Sequence, residues 1–304
     1  MSDVVVVQPI ARSGITMLER AGLSVFVAPV PTLAAMRRHL SDARGVITRN
    51  HGFSEEELDA APRLRVIAVH GTGLDKVACE AAKARGVAVV NTPGVNARSV
   101  AELALGLMLA CARQIPAADL AARTRDATWR NGSRGIELGG RRLGLLGFGH
   151  VARALVPMAR GLGMEVSACS RHTDQATLED MGVRPVPDID ALCADADVLS
   201  LHALPGSRAL IDAERLARMP RGAILVNTAR GALVDEAALA AALSAGHLHG
   251  AGLDVTVAEP IAPDSPLLSA PGLVLTPHIG GAAAEAMERT GQEVARRLIS
   301  VLGI

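Results

Sequence analysis

The sequence predicts an α/β protein made of two doubly wound parallel-sheet domains. Short β-rich segments alternate with helical stretches along the whole chain, which is typical of parallel sheets with helices on both faces. A chain of 304 residues suits two domains better than one small core. Hydrophobic residues make up 49% of the chain and charged residues 20%, as in an ordinary soluble globular protein.

The first series of elements predicts one of the two sheets. The helices between its strands have readable ends. Ser54 followed by Glu57 forms a capping box that begins one helix, and Gly86 ends another. The segments predicted as buried parallel strands are Val4–Gln8, Ser24–Ala28, Gly45–Thr48, Leu64–Val69 and Val87–Val90.

A long apolar helix and a more polar segment come next. The stretch from Ser99 to about Arg113 is apolar nearly all round, so we expect a helix buried at a domain or subunit junction. The segment from Gln114 to Gly139 is more polar and irregular, and it contains the only tryptophan, Trp129. We expect this segment to project as an arm and to pair with a second copy of the chain in a homodimer.

The second series begins at Arg142 and predicts the other sheet. The last helix, from about Ala282 to Leu302, is long enough to return to the first domain. We therefore expect one domain from residues 1–95 plus 285–304 and another from residues 96–284. The predicted strands are Leu143–Gly147, Glu165–Cys169, Val183–Val186, Asp197–Leu201, Ala223–Asn227, His249–Leu253 and Leu273–Thr276.

Composition argues against several classes of protein. The formal net charge is zero and there is no basic run, so nucleic-acid binding is not indicated. The four cysteines match no zinc spacing, so we expect no metal site and a reducing compartment. No apolar run approaches the roughly 18 residues that span a bilayer, and the first residues read as a strand rather than a signal peptide. We expect a cytoplasmic protein without a membrane partner.

A glycine-rich turn predicts the dinucleotide site. The motif Gly147-x-Gly149-x-x-Ala152 follows a predicted strand and begins a predicted helix. In that context the glycines allow a tight turn and a close approach of the pyrophosphate, and the helix N-terminus supplies N–H groups to the anion. The alternative is a tight turn without a ligand. The predicted cofactor contacts here are Gly147, Phe148, Gly149, His150 and Val151.

The end of the next strand predicts which dinucleotide is preferred. An Asp or Glu at this position would bind the ribose 2′-hydroxyl of NAD. The sequence instead has Ser170, Arg171 and His172, a hydroxyl, a guanidinium and an imidazole that suit a 2′-phosphate. We therefore predict a preference for NADP. The alternative is an ordinary solvated basic turn that leaves NAD usable.

Three residues spaced along the last third of the chain predict the chemistry. Arg230, Glu259 and His278 each lie in a short motif next to a turn. A cation can hold a carboxylate and polarise a ketone, and an imidazolium can protonate the developing alkoxide. A carboxylate can orient the imidazole. Together these groups suit the reduction of a 2-oxo acid.

Several motifs in this order resemble the D-isomer-specific 2-hydroxyacid dehydrogenase family. The resemblance covers nearly the whole chain, from Gly71–Asp75 and Asn91–Leu103 to the Gly147 loop and the three catalytic motifs. It implies a Rossmann dinucleotide-binding domain and a flavodoxin-like substrate domain. It also implies that His278 is the acid/base, Glu259 its partner and Arg230 the substrate clamp.

The same resemblance implies further contacts. Asp254 would bind the nicotinamide carboxamide with help from the backbone near Ala229, and Thr228 and His202 would complete the cofactor site. The segment around His202 departs from the family's pattern because its proline is displaced to Pro205. Backbone N–H groups of a nest-like loop would hold the substrate carboxylate. That loop consists of His70, Gly71, Thr72 and Gly73.

Substrate side-chain contacts are expected from the first domain, where Arg49, Asn50 and His51 follow the third strand and His70 follows the fourth. The polarity of this set favours a small polar 2-oxo acid such as glyoxylate or hydroxypyruvate. A phosphorylated or sulfonated 2-hydroxy acid is the alternative, because Arg49 could pair with a second anion. The resemblance also reaches dinucleotide-sensing corepressor-type proteins and formate dehydrogenases. The former keep the triad, whereas the latter normally lack this Glu–His pairing.

Overall fold

The computed structural model describes residues 2–132 and 135–304 and divides the chain into two compact units. The first unit is Met1–Asn96 with Gly281–Ile304, and the second is Ala97–Gly280. The strands are β1 (Val4–Val6), β2 (Val25–Val27), β3 (Gly45–Thr48), β4 (Val66–Val69), β5 (Ala88–Asn91), β6 (Arg142–Leu146), β7 (Glu165–Cys169), β8 (Arg184–Pro185), β9 (Val198–Leu201), β10 (Ile224–Asn227), β11 (Gly250–Leu253) and β12 (Leu273–Leu275).

Helices alternate with these strands, as the sequence predicts. They are α1 (Arg12–Arg20), α2 (Leu33–Leu40), α3 (Glu55–Asp59), α4 (Cys79–Ala84), α5 (Ala97–Ala112), α6 (Ile115–Arg123), α7 (Trp129–Gly132), α8 (His150–Gly161), α9 (Gln175–Asp180), α10 (Ile189–Asp195), α11 (Ala213–Arg218), α12 (Glu236–Ser244) and α13 (Ala284–Leu302). Two 3₁₀ turns, Gly231–Leu233 and Pro266–Ser269, complete the described elements.

The first unit is a parallel sheet of order β2-β1-β3-β4-β5. This is the flavodoxin-like order, so the predicted fold is confirmed. The sheet is buried on both faces: Val5 packs into one apolar cluster, and Val4 and Val6 pack into the other with α13. Successive side chains of a strand point to opposite faces, which explains why strands covered by helices on both sides are continuously apolar.

Local signals in the first unit behave as expected. Ser54 and Glu57 form the predicted capping box at the start of α3. Helix α4 ends just before Gly86, whose φ of 70° is accessible to glycine at little cost. Helices α1 and α13 cross closely at Gly14, where an added Cβ would lie 2.4 Å from the carbonyl oxygen of Gly291.

The second unit is a parallel sheet of order β12-β11-β10-β9-β6-β7-β8. Read from β8, this is the doubly wound dinucleotide-binding order extended by one strand. The strand order reverses between β6 and β9, so their carboxyl ends flank the crevice in which such sheets bind ligands. Apolar clusters on the two faces are centred on residues such as Leu145 and Leu199.

The segment between the two series differs from expectation. Helix α5 is largely buried and packs against α8, β10 and β11. The segment 114–139 was expected to be irregular. This expectation is wrong for Ile115–Arg123, which form helix α6. Helix α6 begins at Ile115, and Pro116 lies in its first turn, where proline is tolerated. Residues 133 and 134 of the expected arm lie outside the described residues.

No single helix among residues 2–132 and 135–304 has the length and apolar character needed to cross a membrane. Helices α5 and α6 together are long and apolar enough to cross one, but the chain bends by 59° between them. Buried core helices pass the same test, so the finding is weak evidence of a membrane span.

Candidate active site

The predicted cofactor residues follow one edge of the second sheet. Strand pairing aligns the last residues of β12, β11, β10, β9, β6 and β7, so the residue after each strand stands at the same level. At about 4.8 Å per strand, this row spans roughly 24 Å. In sheet order its members are Thr276, Asp254, Thr228, His202, Gly147 and Ser170. All but Thr276 are predicted cofactor contacts.

The Gly147 loop fits an approaching anion. Gly147 has a φ of 92°, and a Cβ there would lie 2.6 Å from the carbonyl oxygen of His202. Gly149 caps α8, and no atom lies within 4 Å of the position where its Cβ would be. The first N–H groups of a helix have no partner within the helix, so the start of α8 and the open space beside Gly149 suit a pyrophosphate.

The turn after β7 is shaped by hydroxyl groups. Ser170 Oγ accepts hydrogen bonds from the N–H groups of Thr173 at 3.2 Å and His172 at 3.4 Å. Arg171 and His172 are exposed. Asp174, the first acid after the turn, caps α9 by accepting from Thr177.

Arg153, which the sequence did not single out, lies beside the same turn. Its Nε donates to the carbonyl oxygen of Phe148 at 3.3 Å, and its guanidinium stands 5.4 Å from the centre of the Phe148 ring. Thr173 Oγ1 donates to the same carbonyl oxygen at 3.5 Å. Because Arg153 and Thr173 share one acceptor, a guanidinium lies next to the β7 turn.

The central residues of the row are a neutral imidazole and an unpaired hydroxyl. Burial lowers the pKa of His202 to about 4, and its Nε2 lies 3.0 Å from Ser200 Oγ. Thr228 Oγ1 is buried without a hydrogen-bond partner among the described residues. A buried polar atom without a partner is unfavourable unless a ligand or water supplies one. This hydroxyl and the open space above Gly149 fit a bound dinucleotide.

The loop that carries Arg230 is held from the strand below it. Asn227 is 1% exposed, accepts from the N–H of Ala229 at 3.0 Å and donates to the carbonyl oxygen of Arg230 at 2.8 Å. Gly231 then allows a close approach, since a Cβ there would lie 2.1 Å from the carbonyl carbon of Thr256. The Arg230 loop therefore packs directly against the loop that leads to Glu259.

Glu259 and His278 form the predicted pair across 19 residues. His278 Nδ1 lies 3.0 Å from Glu259 Oε2 and 3.1 Å from Oε1. An ionised carboxylate only accepts, so Nδ1 carries the proton and Nε2 is the nitrogen left for a substrate. Nε2 has no partner within the described chain. The side chains are 34% and 27% exposed for His278 and Glu259 respectively, so a substrate can reach the ring.

Asp254 is 2% exposed and organises the His278 loop. Its Oδ1 accepts from Thr276 Oγ1 at 2.6 Å and from the N–H of Ile279 at 2.8 Å. Its Oδ2 accepts from the N–H of Gly280 at 2.8 Å. A carboxylate offers about four lone-pair sites, so a further donor, such as a carboxamide, could still be accepted.

Two of the substrate contacts predicted from the first unit, the Arg49 guanidinium and the His70 imidazole, lie at neighbouring strand ends. Arg49 and His70 directly follow the aligned ends of β3 and β4. Arg49 Nη1 donates to the carbonyl oxygen of Pro9 at 2.9 Å, and burial lowers the pKa of this guanidinium. Burial and, to a lesser degree, Arg49 lower the pKa of His70 to about 4. His70 Nε2 is buried without a partner among the described residues.

The neighbouring backbone is only partly free to bind an anion. Gly71 has a φ of 146°, and its N–H already donates to Thr92 Oγ1 at 2.9 Å. The N–H groups of Thr72 and Gly73 have no acceptor in the described part of the chain.

The other two candidates after β3 differ in their surroundings. Asn50 is exposed at the turn, whereas His51 Nε2 lies 2.8 Å from Glu57 Oε1. The His51 ring therefore supports the capping box of α3.

Reasoning from sequence missed three residues that contact this machinery. They are Thr276, Arg153 and Ser99, whose Oγ donates to the carbonyl oxygen of Gly280 at 2.6 Å. Thr276 lies two residues before the predicted acid/base His278, and its hydroxyl next to Pro277 was the available signal. Nothing in sequence spacing links Ser99 to Gly280.

Among the described residues, no group of three or more His, Cys, Asp or Glu side chains is arranged to hold a metal ion.

Comparisons with known proteins agree with this geometry. Residues 105–280 match the family model described as D-isomer specific 2-hydroxyacid dehydrogenase, NAD binding domain. The chain is 45% identical over 243 residues to a D-3-phosphoglycerate dehydrogenase of Mycobacterium bovis, covering 79% of this chain but 45% of that protein. It therefore spans about half the length of this relative.

Shorter relatives match over most of their length. A hydroxypyruvate reductase of Thermotoga maritima is 41% identical over 252 residues, covering 81% of this chain and 80% of that protein. The crystal structure of an NADPH-dependent glyoxylate/hydroxypyruvate reductase from Sinorhizobium meliloti superposes with a TM-score of 0.86 at 29% identity, covering 99% of this chain and 95% of that one. The second unit is thus a nicotinamide dinucleotide-binding domain, and the chain belongs to the D-isomer specific 2-hydroxyacid dehydrogenase family.

Proposed function

We propose that this protein is an NADPH-dependent reductase that converts small polar 2-oxo acids to D-2-hydroxy acids. The observation that carries the proposal is the Glu259–His278 pair, which holds one imidazole nitrogen and leaves the other for a substrate. It lies at the carboxyl ends of the strands of a nicotinamide dinucleotide-binding domain, where such sheets bind ligands.

Each catalytic side chain has a separate task in this proposal. The bound nicotinamide dinucleotide supplies hydride chemistry at C2 of the substrate. Arg230 binds the substrate carboxylate and polarises the ketone. His278 Nε2 donates a proton to the ketone oxygen, so that a hydride and a proton together give the hydroxy acid. Glu259 keeps the ring oriented through its hydrogen bond with Nδ1.

Removal of the imidazole tests the acid role. His278→Gln should lower kcat by about 10²–10⁴-fold, the usual contribution of a positioned general acid, and leave NADPH affinity unchanged. His39→Gln, which changes a histidine of the first unit stacked on Phe26, is the matched control and should keep full turnover. Retained turnover in His278→Gln would show that His278 is not the general acid.

We further propose that NADPH is preferred over NADH. The support is the β7 turn, where Ser170 and Arg171 stand without an acid and Arg153 adds a second guanidinium nearby. A 2′-phosphate is recognised by such charge-assisted hydrogen bonds. Ser170→Asp should therefore lower the ratio of kcat/KM for NADPH over NADH by at least about tenfold, since a new carboxylate repels the phosphate.

A second variant at the same position separates charge from the loss of a hydroxyl. Ser170→Ala removes the hydroxyl that organises the turn without adding charge, so the ratio should fall less than in Ser170→Asp. If neither substitution moves the ratio, the turn does not select the cofactor and NAD is an equally good choice.

Glyoxylate and hydroxypyruvate are the proposed substrates. The relative from Thermotoga maritima is a hydroxypyruvate reductase, and the one from Sinorhizobium meliloti is a glyoxylate/hydroxypyruvate reductase. The predicted substrate-binding residues are small or polar, which suits a short polar side chain. They are Arg49, Asn50, His70, Gly71, Thr72 and Gly73.

A second candidate substrate is a phosphorylated or sulfonated 2-hydroxy acid. Arg49 favours it, because this partly buried guanidinium donates to the carbonyl oxygen of Pro9 and forms no ion pair with a carboxylate of the described residues. A phosphoglycerate dehydrogenase is also among the relatives. Turnover of 3-phosphoglycerate that falls sharply in Arg49→Gln, with glyoxylate turned over poorly by the unchanged protein, would favour this candidate over the first.

We also propose a homodimer formed through the segment that contains α6. Its support is the exposure of two apolar side chains on that helix, Ile115 at 52% and Leu120 at 62%. Analytical ultracentrifugation should give a dimer for the unchanged protein and a monomer for Leu120→Glu. A cytoplasmic location stays a prediction from the sequence.

A further inference from the structure

We propose that the Thr276 hydroxyl, acting through Asp254, is a positioning group that fixes His278 for proton transfer. The proposal rests on the proposed function and adds to it a residue with no assigned role. Thr276 does not belong to the Arg230, Glu259 and His278 set, and its side chain contacts Asp254 rather than the imidazole.

The backbone of His278 needs support from its surroundings. His278 has a φ of 56°, in the left-handed region that residues with a Cβ adopt only at an energetic disadvantage. Such a conformation persists where neighbouring contacts determine it. The N–H of His278 donates to the carbonyl oxygen of Asp254 at 2.8 Å, which is one such contact.

The Asp254 carboxylate binds the chain on both sides of His278. It accepts from Thr276, two positions before His278, and from Ile279 and Gly280, the two positions after it. Gly280 allows a close approach here, because a Cβ there would make a tight contact of 3.0 Å with Asp254 Oδ2. Helix α5 adds the hydrogen bond from Ser99 to the Gly280 carbonyl oxygen.

Thr276 is the member of this cluster that can be tested without disturbing the cofactor. Asp254 is itself a predicted nicotinamide contact, so changing it would confuse positioning with binding. Thr276→Val keeps the branched shape of threonine and removes only the hydroxyl that donates to the carboxylate at 2.6 Å. Oδ1 would then accept from Ile279 alone, and the chain before His278 would lose its side-chain anchor to Asp254.

Kinetics of three threonine variants test the role. Thr276→Val should lower kcat about tenfold, equal to about 1.4 kcal/mol, with NADPH affinity and substrate KM unchanged. Thr276→Ser, which restores the hydroxyl, should recover most of the lost kcat. Thr177→Val removes another hydroxyl that donates to an aspartate, Asp174, at 3.1 Å, and should leave kcat unchanged.

The contrary outcomes are equally distinct. Unchanged kcat in Thr276→Val overturns the proposal, and so does an equal loss in Thr276→Ser, because the restored hydroxyl would then not restore kcat. A parallel fall in NADPH affinity would mean that the hydroxyl serves cofactor binding.

A readout independent of activity separates this proposal from the proposed function. In the cofactor-free protein, Thr276→Val should speed hydrogen exchange at the amides of Ile279 and Gly280 and shift the His278 ring resonances in NMR spectra. Both changes are expected even if no 2-oxo acid tested is a substrate. Unchanged exchange and ring resonances would overturn the positioning role while leaving the reductase proposal intact.

Discussion

A fall in pH should destabilise the first unit through one buried imidazole. His70 is 8% exposed, and burial, reinforced by Arg49, lowers its pKa from 6.5 to about 4 in the folded protein. A group whose folded pKa is lowered stabilises the fold above its unfolded pKa, and that stability is lost as pH falls towards the folded pKa. The affected window therefore runs from about pH 6.5 down to about pH 4.

The size of the effect follows from the two pKa values. Each pKa unit corresponds to about 1.36 kcal/mol, so the full difference reaches about 3.4 kcal/mol once both states are protonated. At about pH 5 the linkage relation gives a loss of about 2 kcal/mol relative to about pH 8. That loss is a large fraction of the 5–15 kcal/mol that typically separates folded from unfolded states.

The assay must report on the first unit alone, because His202 titrates in the second unit and two-domain unfolding is not two-state. Urea-unfolding curves at several pH values, read by pulse-labelling hydrogen exchange on peptides that cover Val66–Val69, meet this need. His70→Gln should remove most of the loss between pH 8 and pH 5. His39→Gln, which changes a partly exposed histidine of the same unit, should leave most of that loss in place. A flat profile for the unchanged protein, or an undiminished loss in His70→Gln, would refute the reasoning.

Three further substitutions test the loops and one helix end. Gly147→Ala should abolish NADPH binding in a fluorescence titration, because its Cβ would clash with the His202 carbonyl oxygen at 2.6 Å; measurable affinity would contradict the loop geometry. Gly231→Ala places a Cβ 2.1 Å from the Thr256 backbone, so it should push the Arg230 loop away from the loop that leads to Glu259. We expect kcat to fall by at least about tenfold while NADPH still binds. An unchanged kcat would show that catalysis tolerates this separation of the two loops. Ser54→Ala should cost about 1 kcal/mol of stability in the first unit, measured by the same urea curves, with kcat unchanged.

Much of the fold and part of the site could be predicted because the deciding signals are local. Buried parallel strands are continuous apolar runs between helix caps, so β3 and β7 begin and end where the sequence predicts. The Gly147 turn is readable for the same reason, since a glycine turn between a strand and a helix has few other uses. Helix α6 was missed because its polar residues lie on an exposed helix, where polarity does not distinguish helix from loop.

The amino-acid sequence by itself determined the alternation of strands and helices, the glycine turn and the basic turn at Ser170, and it predicted the catalytic side chains. Only the tertiary structure decided which of those side chains meet. Glu259 and His278 are brought together by loops after β11 and β12, and strand register places Thr276 beside Asp254 across 22 residues. The physical reason is that hydrogen bonds between strand ends depend on register and loop path, which no local sequence pattern encodes.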